Sequence, residues 1–315
     1  MTTRLLNDHK ANLIGSLWMV AAMAVFAVED AFIKAAADVL PVGQILVIFG
    51  IGGALVFAGL ARLNGEPLFV KDVVSRPMRF RIMFEIVGRL FYVLAIAVIP
   101  LSAATVILQA TPLVVVAGAA LVFGEKVGWR RWTAIIIGMI GVVVIIRPGT
   151  DSFSVLSVLA VIGMIGFAGR DLASRAAPAS LSTWLLGLYG FFAVIIAGVF
   201  YSLWQAQTYV RPSLEISLFL LLAVLAGVAA YSCLMKAMRT GDVSAVTPFR
   251  YTRLLFGIAL GVLLFGEELN ISMLTGSGLI VLSGLFIVWR GKEAKVPAPT
   301  APASGKPVSG KPVSK

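Results

Sequence analysis

The chain alternates between long apolar runs and short polar interruptions. Ten runs of 17 to 24 residues lie at 13–34, 41–61, 80–99, 101–123, 131–147, 153–171, 181–204, 216–238, 244–265 and 272–290, and they are apolar along most of their length rather than on one face. A helix rising about 1.5 Å per residue needs roughly 20 such residues to cross a hydrocarbon layer about 30 Å thick. The pattern therefore predicts an all-α integral membrane protein with ten transmembrane helices. Some connections are only a few residues long, as in IPLS (99–102) and GEELN (266–270), and helices joined so tightly pack as antiparallel neighbours.

Composition agrees with that reading. Of 315 residues, 59% are hydrophobic and 13% charged, with a mean hydropathy of +0.98; a soluble domain carries about 45–50% and about 25%. The net charge of +11 is sorted by loop rather than gathered on a soluble surface, so it does not point to nucleic acid. With the N-terminus cytoplasmic, 20 of the 26 Lys and Arg residues fall on the cytoplasmic side. Three (Lys34, Arg147, Arg211) fall outside and three (Arg89, Arg250, Arg253) within spans. Such a bias places both termini in the cytoplasm, with the chain integral to the cytoplasmic (inner) membrane. A secretory leader ending at Ala35–Ala37 is the alternative for the first run. The run is long for a leader and carries Glu29 and Asp30 near its end, which count against it.

Several chemistries lack their residues. A single Cys233 excludes an internal disulfide, and one histidine, His9, lies before the first span. No Walker loop, HExxH or GxSxG is present, so neither ATP-driven pumping nor an intramembrane enzyme has a motif behind it. No metal or cofactor is expected.

The chain also repeats itself. Shifted by 142 residues, SAATVILQATPLVVVAGAALVFGEK (102–126) falls without a gap on SAVTPFRYTRLLFGIALGVLLFGEE (244–268), with nine of 25 positions identical and FGE closing both. The same shift sets Glu29 on Asp171. The period contains five spans, an odd number, so the second half enters the membrane upside down. Inverted halves are the architecture of many secondary transporters. The expected organisation is a cytoplasmic N-terminus (1–11), a first repeat (12–149), a second repeat (150–291) and a disordered basic tail (292–315) rich in Pro, Ser, Gly and Lys.

The segments IPLSAATVILQATPLVVVAGAALVFGEKVGWRRWTAIIIGMIGVVVIIRPG (99–149) and GDVSAVTPFRYTRLLFGIALGVLLFGEELNISMLTGSGLIVLSGLFIVWRG (241–291) resemble the two EamA domains of the drug/metabolite transporter superfamily. The resemblance covers about 12–291. It implies ten helices around a central cavity walled by spans one, three, four, six, eight and nine. Members similar to this chain export amino acids and other metabolites or import compounds such as riboflavin and S-adenosylmethionine. The halves differ at the candidate cargo site, where PFRYTRL (248–254) stands opposite VILQATP (106–112).

Ionisable residues inside spans cost roughly 2.5–3.5 kcal/mol or more and so face a cavity or a partner. Arg253 lies about 15 Å inside the cytoplasmic end of span nine, close to the bilayer midplane. Arg250 is one turn shallower on the same face, where snorkelling to the cytoplasm is the competing reading. Span three carries Arg81, Glu85 and Arg89 at i, i+4 and i+8, with Tyr92 extending the stripe. Arg81 reads as an interface anchor. Glu85 is placed to neutralise Arg89 within the helix, or to bridge to Arg250 or Arg253. One acid among three deep bases leaves positive charge, which favours anionic or zwitterionic cargo.

Glu29 and Asp171 lie near the outer and inner rims, about 24 Å and 27 Å along their helices, and suggest one gate on each side. Interfacial pairs Asp30–Lys34 and Asp171–Arg175 are the plainer reading. Glu29 or Glu85 is the candidate proton carrier, and exchange without a coupling ion is equally compatible. Trp18, Tyr92, Gln109, Tyr231 and Tyr251 are candidates to stack on or hydrogen-bond a ligand. Pro112 and Pro248 loosen the backbone where the walls bend, and Glu125 and Glu267 read as structural. The function expected is a secondary transporter of a small amino-acid-, nucleoside- or flavin-like metabolite, with a passive channel or an intramembrane enzyme as alternatives. The expected partners are that small molecule and the lipid bilayer; no feature sets an oligomeric state.

Overall fold

The computed structural model describes residues 2–124, 127–146, 155–178, 180–206, 208–240 and 246–293, and they are helical, with no strand among them. The helices are α1 (Thr2–Ala37), α2 (Val42–Leu63), α3 (Arg76–Val98), α4 (Leu101–Leu108), α5 (Thr111–Phe123) and α6 (Trp129–Ile146). The second half supplies α7 (Ser157–Arg175), α8 (Thr183–Trp204), α9 (Leu214–Thr240), α10 (Thr252–Phe265) and α11 (Ile271–Glu293), with 3-10 turns at Lys71–Val74 and Thr247–Tyr251. Nine segments among the described residues are long and apolar enough to span a membrane, with α4 and α5 together forming one. The tenth span, α3, has the length (23 residues), but its five charged side chains dilute its hydropathy.

The two halves interlock. The α1–α9, α3–α7, α2–α8, α4–α10 and α6–α11 pairs form the main contacts, so each span packs on a span of the other half. Mapping the first five spans onto the last five carries the α1–α9 pair onto α7–α3 and the other three onto themselves. That exchange is what a two-fold relation between the repeats requires. Large side chains fully enclosed between the pairs, such as Met19, Ile33, Phe49, Phe57 and Tyr92, form the core, while Leu55 (68% exposed) and Leu263 (78%) face outward. Outward leucines satisfy a lipid solvent and account for the excess hydropathy.

The FGE segments now have a physical reading. Gly124 and Gly266 end α5 and α10 in the left-handed region, at φ 66° and 61°, which favours glycine. In the second repeat the glutamate that follows, Glu267, reaches across to the first repeat. The Glu267 carboxylate accepts from the Leu101 and Ser102 backbone N–H groups (2.5 and 2.9 Å) and the Ser102 hydroxyl (2.5 Å), capping α4. Beside it Lys34 does not pair with Asp30, as the i,i+4 spacing suggested. Its ammonium donates to the Ile96 and Ile99 carbonyls (2.9 Å each) at the end of α3 and lies over the Phe265 ring.

Close backbone approach holds α3 to α7. A Cβ on Gly166 would lie 2.4 Å from the Gly88 backbone nitrogen, whereas one on Gly59 would meet nothing within 4 Å. Gly166→Ala is therefore expected to lower stability by about 1–3 kcal/mol, as overpacking does, and Gly59→Ala to leave the thermal midpoint of the purified protein unchanged. Equal midpoints for the two variants would contradict this packing. Glu125, residues 147–154 and the tail from 294 lie outside the described residues.

Candidate functional site

The site is built on two broken spans. Pro112 lacks the N–H that would bond the Leu108 carbonyl; the Thr111 hydroxyl donates to that carbonyl instead, at 2.5 Å. The chain leaves the helix at Gln109–Ala110 and restarts at Thr111. At the repeat-related position the Thr247–Tyr251 turn, opened by Pro248, gives way to α10 at Thr252. The Gln109 side-chain amide donates to the Arg250 carbonyl at 2.9 Å and ties the two breaks together.

Beside these breaks lies a cavity of about 100 Å³, walled by α1, α3, α4, α5, α7, α9 and the ninth span. These are the six spans that the family resemblance implied. Arg89, Arg170, Arg250 and Arg253 line it, with Glu29 and Asp171 as its acids and Phe26 and Phe167 as apolar walls.

Two ion-pair clusters surround it. In the first, the Arg89 guanidinium donates to Glu29 at 2.9 Å, and that of Arg253 to Asp30 Oδ2 at 2.5 Å. The Tyr92 hydroxyl donates to the same Asp30 oxygen at 3.0 Å. Both acids are enclosed, at 1% and 0% exposure, and the arginines lie against rings: Arg89 on Phe49, Arg253 on Phe26 and Tyr92. Glu29 Oε2, Asp30 Oδ1, Arg89 Nε and Arg253 Nε are buried without a hydrogen-bond partner among the described residues. In the second cluster Arg170 pairs with Asp171 (2.8 Å) and Glu85 (3.5 Å), while Arg81 lies 4.0 Å from Glu85 and donates to Ser174 at 3.0 Å.

The structure brings together Glu29, Arg89, Tyr92, Gln109, Asp171, Arg250, Tyr251 and Arg253 around one cavity. Three candidates stand apart from its lining. Trp18 packs under Lys236. Tyr231 lies edge-on to Phe57, with its hydroxyl on the Thr183 carbonyl. Glu85 sits behind Arg170. Tyr251 lines the cavity, but its hydroxyl is lodged where a Cβ on Gly284 would be.

Several pairings differ from those read off the helix spacing. Glu85 joins Arg81 and Arg170 rather than Arg89, Arg250 or Arg253, because α7 brings a guanidinium across to it. Arg81 is 6% exposed and serves as no surface anchor. Glu29 and Asp171 face one cavity rather than opposite rims, and the Arg175 side chain lies outside the described residues. Asp30 and Arg170 were missed: one was assigned to Lys34, the other counted with a loop. Their i,i+1 neighbours Glu29 and Asp171 were the available signal.

Chemically, the site can exchange ion-pair partners. About 100 Å³ is below the roughly 300–1,000 Å³ of ligand pockets, so cargo needs these salt bridges to part or the walls to move. No group of three His, Cys, Asp or Glu with metal-binding geometry occurs among the described residues.

Residues 13–147 and 155–289 each match the sequence pattern of the EamA-like transporter family. The chain is 27% identical over 301 residues to a riboflavin transporter of Vibrio cholerae, covering 90% of this chain and 96% of that one. It is 27% identical over 209 residues to an S-adenosylmethionine uptake transporter of Rickettsia prowazekii (66% and 69%). It is also 27% identical over 274 residues to a pseudopaline exporter of Pseudomonas aeruginosa (85% and 94%). A crystal structure superposes with a TM-score of 0.59 at 17% identity, over 90% of this chain and 99% of that one, which bears on the fold alone.

Proposed function

We propose that this chain, which belongs to the EamA-like transporter family and so is a membrane transporter of small metabolites, moves an anionic or zwitterionic organic molecule by alternating access. It works as a secondary transporter, with both termini on the cytoplasmic side of the inner membrane. Amino-acid-, nucleoside- and flavin-like molecules fit a hollow that combines guanidinium groups with phenyl walls.

One observation carries the choice of cargo. Arg250 lines the cavity half-buried, with no carboxylate in ion-pair range among the described residues, while Arg89 and Arg253 each have one and Arg170 has two. Around the cavity the described residues set five arginines (81, 89, 170, 250, 253) against four carboxylates (29, 30, 85, 171). A cargo carboxylate, phosphate or polarised imide is the natural complement of the remaining positive charge. A zwitterion would in addition set its cationic group against Glu29 or Asp171. The inverted halves support alternating access, since each can adopt the arrangement the other leaves.

The test is a thermal-shift screen of the purified protein against anionic, zwitterionic and cationic metabolites, with riboflavin and S-adenosylmethionine included. Ligands bearing an anionic group are expected to raise the midpoint of the wild type and to lose most of that shift in Arg250→Ala. Uniformly cationic hits, or shifts unchanged in the variant, would overturn the cargo reading. Counterflow of a labelled hit in proteoliposomes then separates a carrier from a channel.

A further inference from the structure

Asp30 and Arg253 form an enclosed ion pair, with side chains 1% and 15% exposed, yet only one partner is within reach of cargo. Arg253 lines the cavity; Asp30 does not. The carboxylate is 0% exposed and holds one guanidinium hydrogen bond (2.5 Å) and one tyrosine hydrogen bond (3.0 Å), both on Oδ2. Oδ1 is buried and has no partner among the described residues.

We infer that Asp30 is a proton site coupled to cargo through Arg253: an anionic group that draws the guanidinium away leaves Asp30 to take up a proton, so anion and proton occupy the protein together. The inference rests on the anionic-cargo reading above. The charge balance is simple. Before binding, the carboxylate and guanidinium sum to zero. Afterwards the cargo anion and guanidinium sum to zero, and the carboxyl is neutral, with its new proton on Oδ1 and the Tyr92 hydroxyl still donating to Oδ2. At no stage does the enclosed centre hold an uncompensated charge, the state a low-dielectric interior penalises most.

Among the described side chains no other neighbour replaces the lost cation. From α3, Asp30 faces Tyr92 and, one helical turn earlier, Arg89, which Glu29 already engages. From the ninth span it faces Arg253, with Arg250 and Tyr251 at the turn before it. Helix α4 carries no ionisable side chain, and the sole one on α2, Arg62, is in its last turn. On α9, Glu215 is in the first turn, Tyr231 lies against Phe57, Cys233 packs in an apolar cluster with Met19, and Lys236 lies over Trp18. On α1 itself, Lys34 is held by the α3 carbonyls. Glu29 differs from Asp30 in lining the cavity and in having Arg89, not Arg253, as its ion-pair partner, at 2.9 Å. Enclosure behind Arg253 is therefore particular to Asp30.

The experiment needs no cargo. Arg253→Gln removes the guanidinium permanently and reproduces the state in which cargo has taken it. The infrared difference spectrum of the full-length variant against wild type at neutral pH is expected to show one added carbonyl band of a protonated carboxylic acid. That band should be absent from Arg253→Lys, which keeps the charge, and from the double variant Arg253→Gln/Asp30→Asn. Should Arg253→Gln fail to give monodisperse protein, Arg253→Met serves as a second uncharged replacement. No added band, or a band that survives in the double variant, overturns Asp30 as the proton site. Because the spectra do not involve cargo, such a failure beside anionic hits in the thermal-shift screen leaves the cargo reading intact. Conversely, the expected spectra with uniformly cationic hits leave an acid that protonates but remove its coupling to anionic cargo.

Discussion

Asp30→Asn is expected to lower stability by roughly 3–5 kcal/mol, the usual cost of removing one partner from a buried ion pair, and Arg253→Gln by clearly less. The asymmetry follows from what each survivor can do. Without Asp30, Arg253 is left with a buried charge it cannot shed, since a guanidinium does not deprotonate in proteins. Its other anion, Glu29, is already engaged by Arg89 at 2.9 Å. Without Arg253, Asp30 can neutralise itself with a proton and keep the Tyr92 hydrogen bond. The asparagine also changes the chemistry at Oδ2, where two donors converge; if its NH2 takes that place, it meets donors with a donor. Denaturation midpoints of the purified variants in one detergent settle the order. Equal losses, or a larger loss for Arg253→Gln, would mean that the pair is held by packing rather than by its charge balance.

The membrane class, the spans and the two-repeat organisation were legible because they rest on local properties: apolar run length and self-similarity over 142 residues. The element ends were less legible. Helix α1 starts at Thr2 rather than 13, because polar residues ahead of a span continue a helix without disturbing its apolar run. The breaks at Gln109–Ala110 and Thr247–Tyr251 were signalled by Pro112 and Pro248, whose local effect is simple.

Pairing between spans was the part the sequence hid. Helical spacing offered Glu85 to Arg89 and Asp30 to Lys34, since i,i+4 neighbours can be read along a chain. The structure assigns Glu85 to Arg170 and Asp30 to Arg253, 85 and 223 residues away. A buried charge accepts the partner that encloses it best, and which span supplies that partner is set by tertiary packing. Arg253 stood out because its depth admits no surface solution. Asp30 did not, because Lys34 stands four residues on along the same helix. One alignment, Glu29 on Asp171, did mark both helices that carry the cavity's acids, although their side chains meet different partners: Arg89 from α3 and Arg170 from the same helix.

Glu267→Ala is expected to loosen the end of the molecule where the two repeats are tied together, at a cost of about 2–5 kcal/mol, because it leaves two enclosed backbone N–H groups without an acceptor. Leu101 and Ser102 are 0% and 1% exposed, and in the fold their N–H groups and the Ser102 hydroxyl all converge on that one carboxylate. A helix start can normally recruit water; this one is enclosed and cannot do so without opening. The expected signature is faster amide exchange in the peptide covering residues 99–108, by about tenfold for each 1.4 kcal/mol lost. Peptides from α2 and α8 should be unaffected. Glutamine at this position should recover little, since its NH2 would face donors. Gly261→Ala provides an independent approach to the same contact: a Cβ there would lie 2.3 Å from Glu267 Oε2, displacing the carboxylate while leaving it in the chain. If Gly261→Ala speeds exchange at 99–108 as Glu267→Ala does, the cap itself holds the two halves together at this end. If exchange there stays at the wild-type rate in both, the α4 start is secured by packing alone, and the turn at Gly266–Glu267 has no part in closing that end.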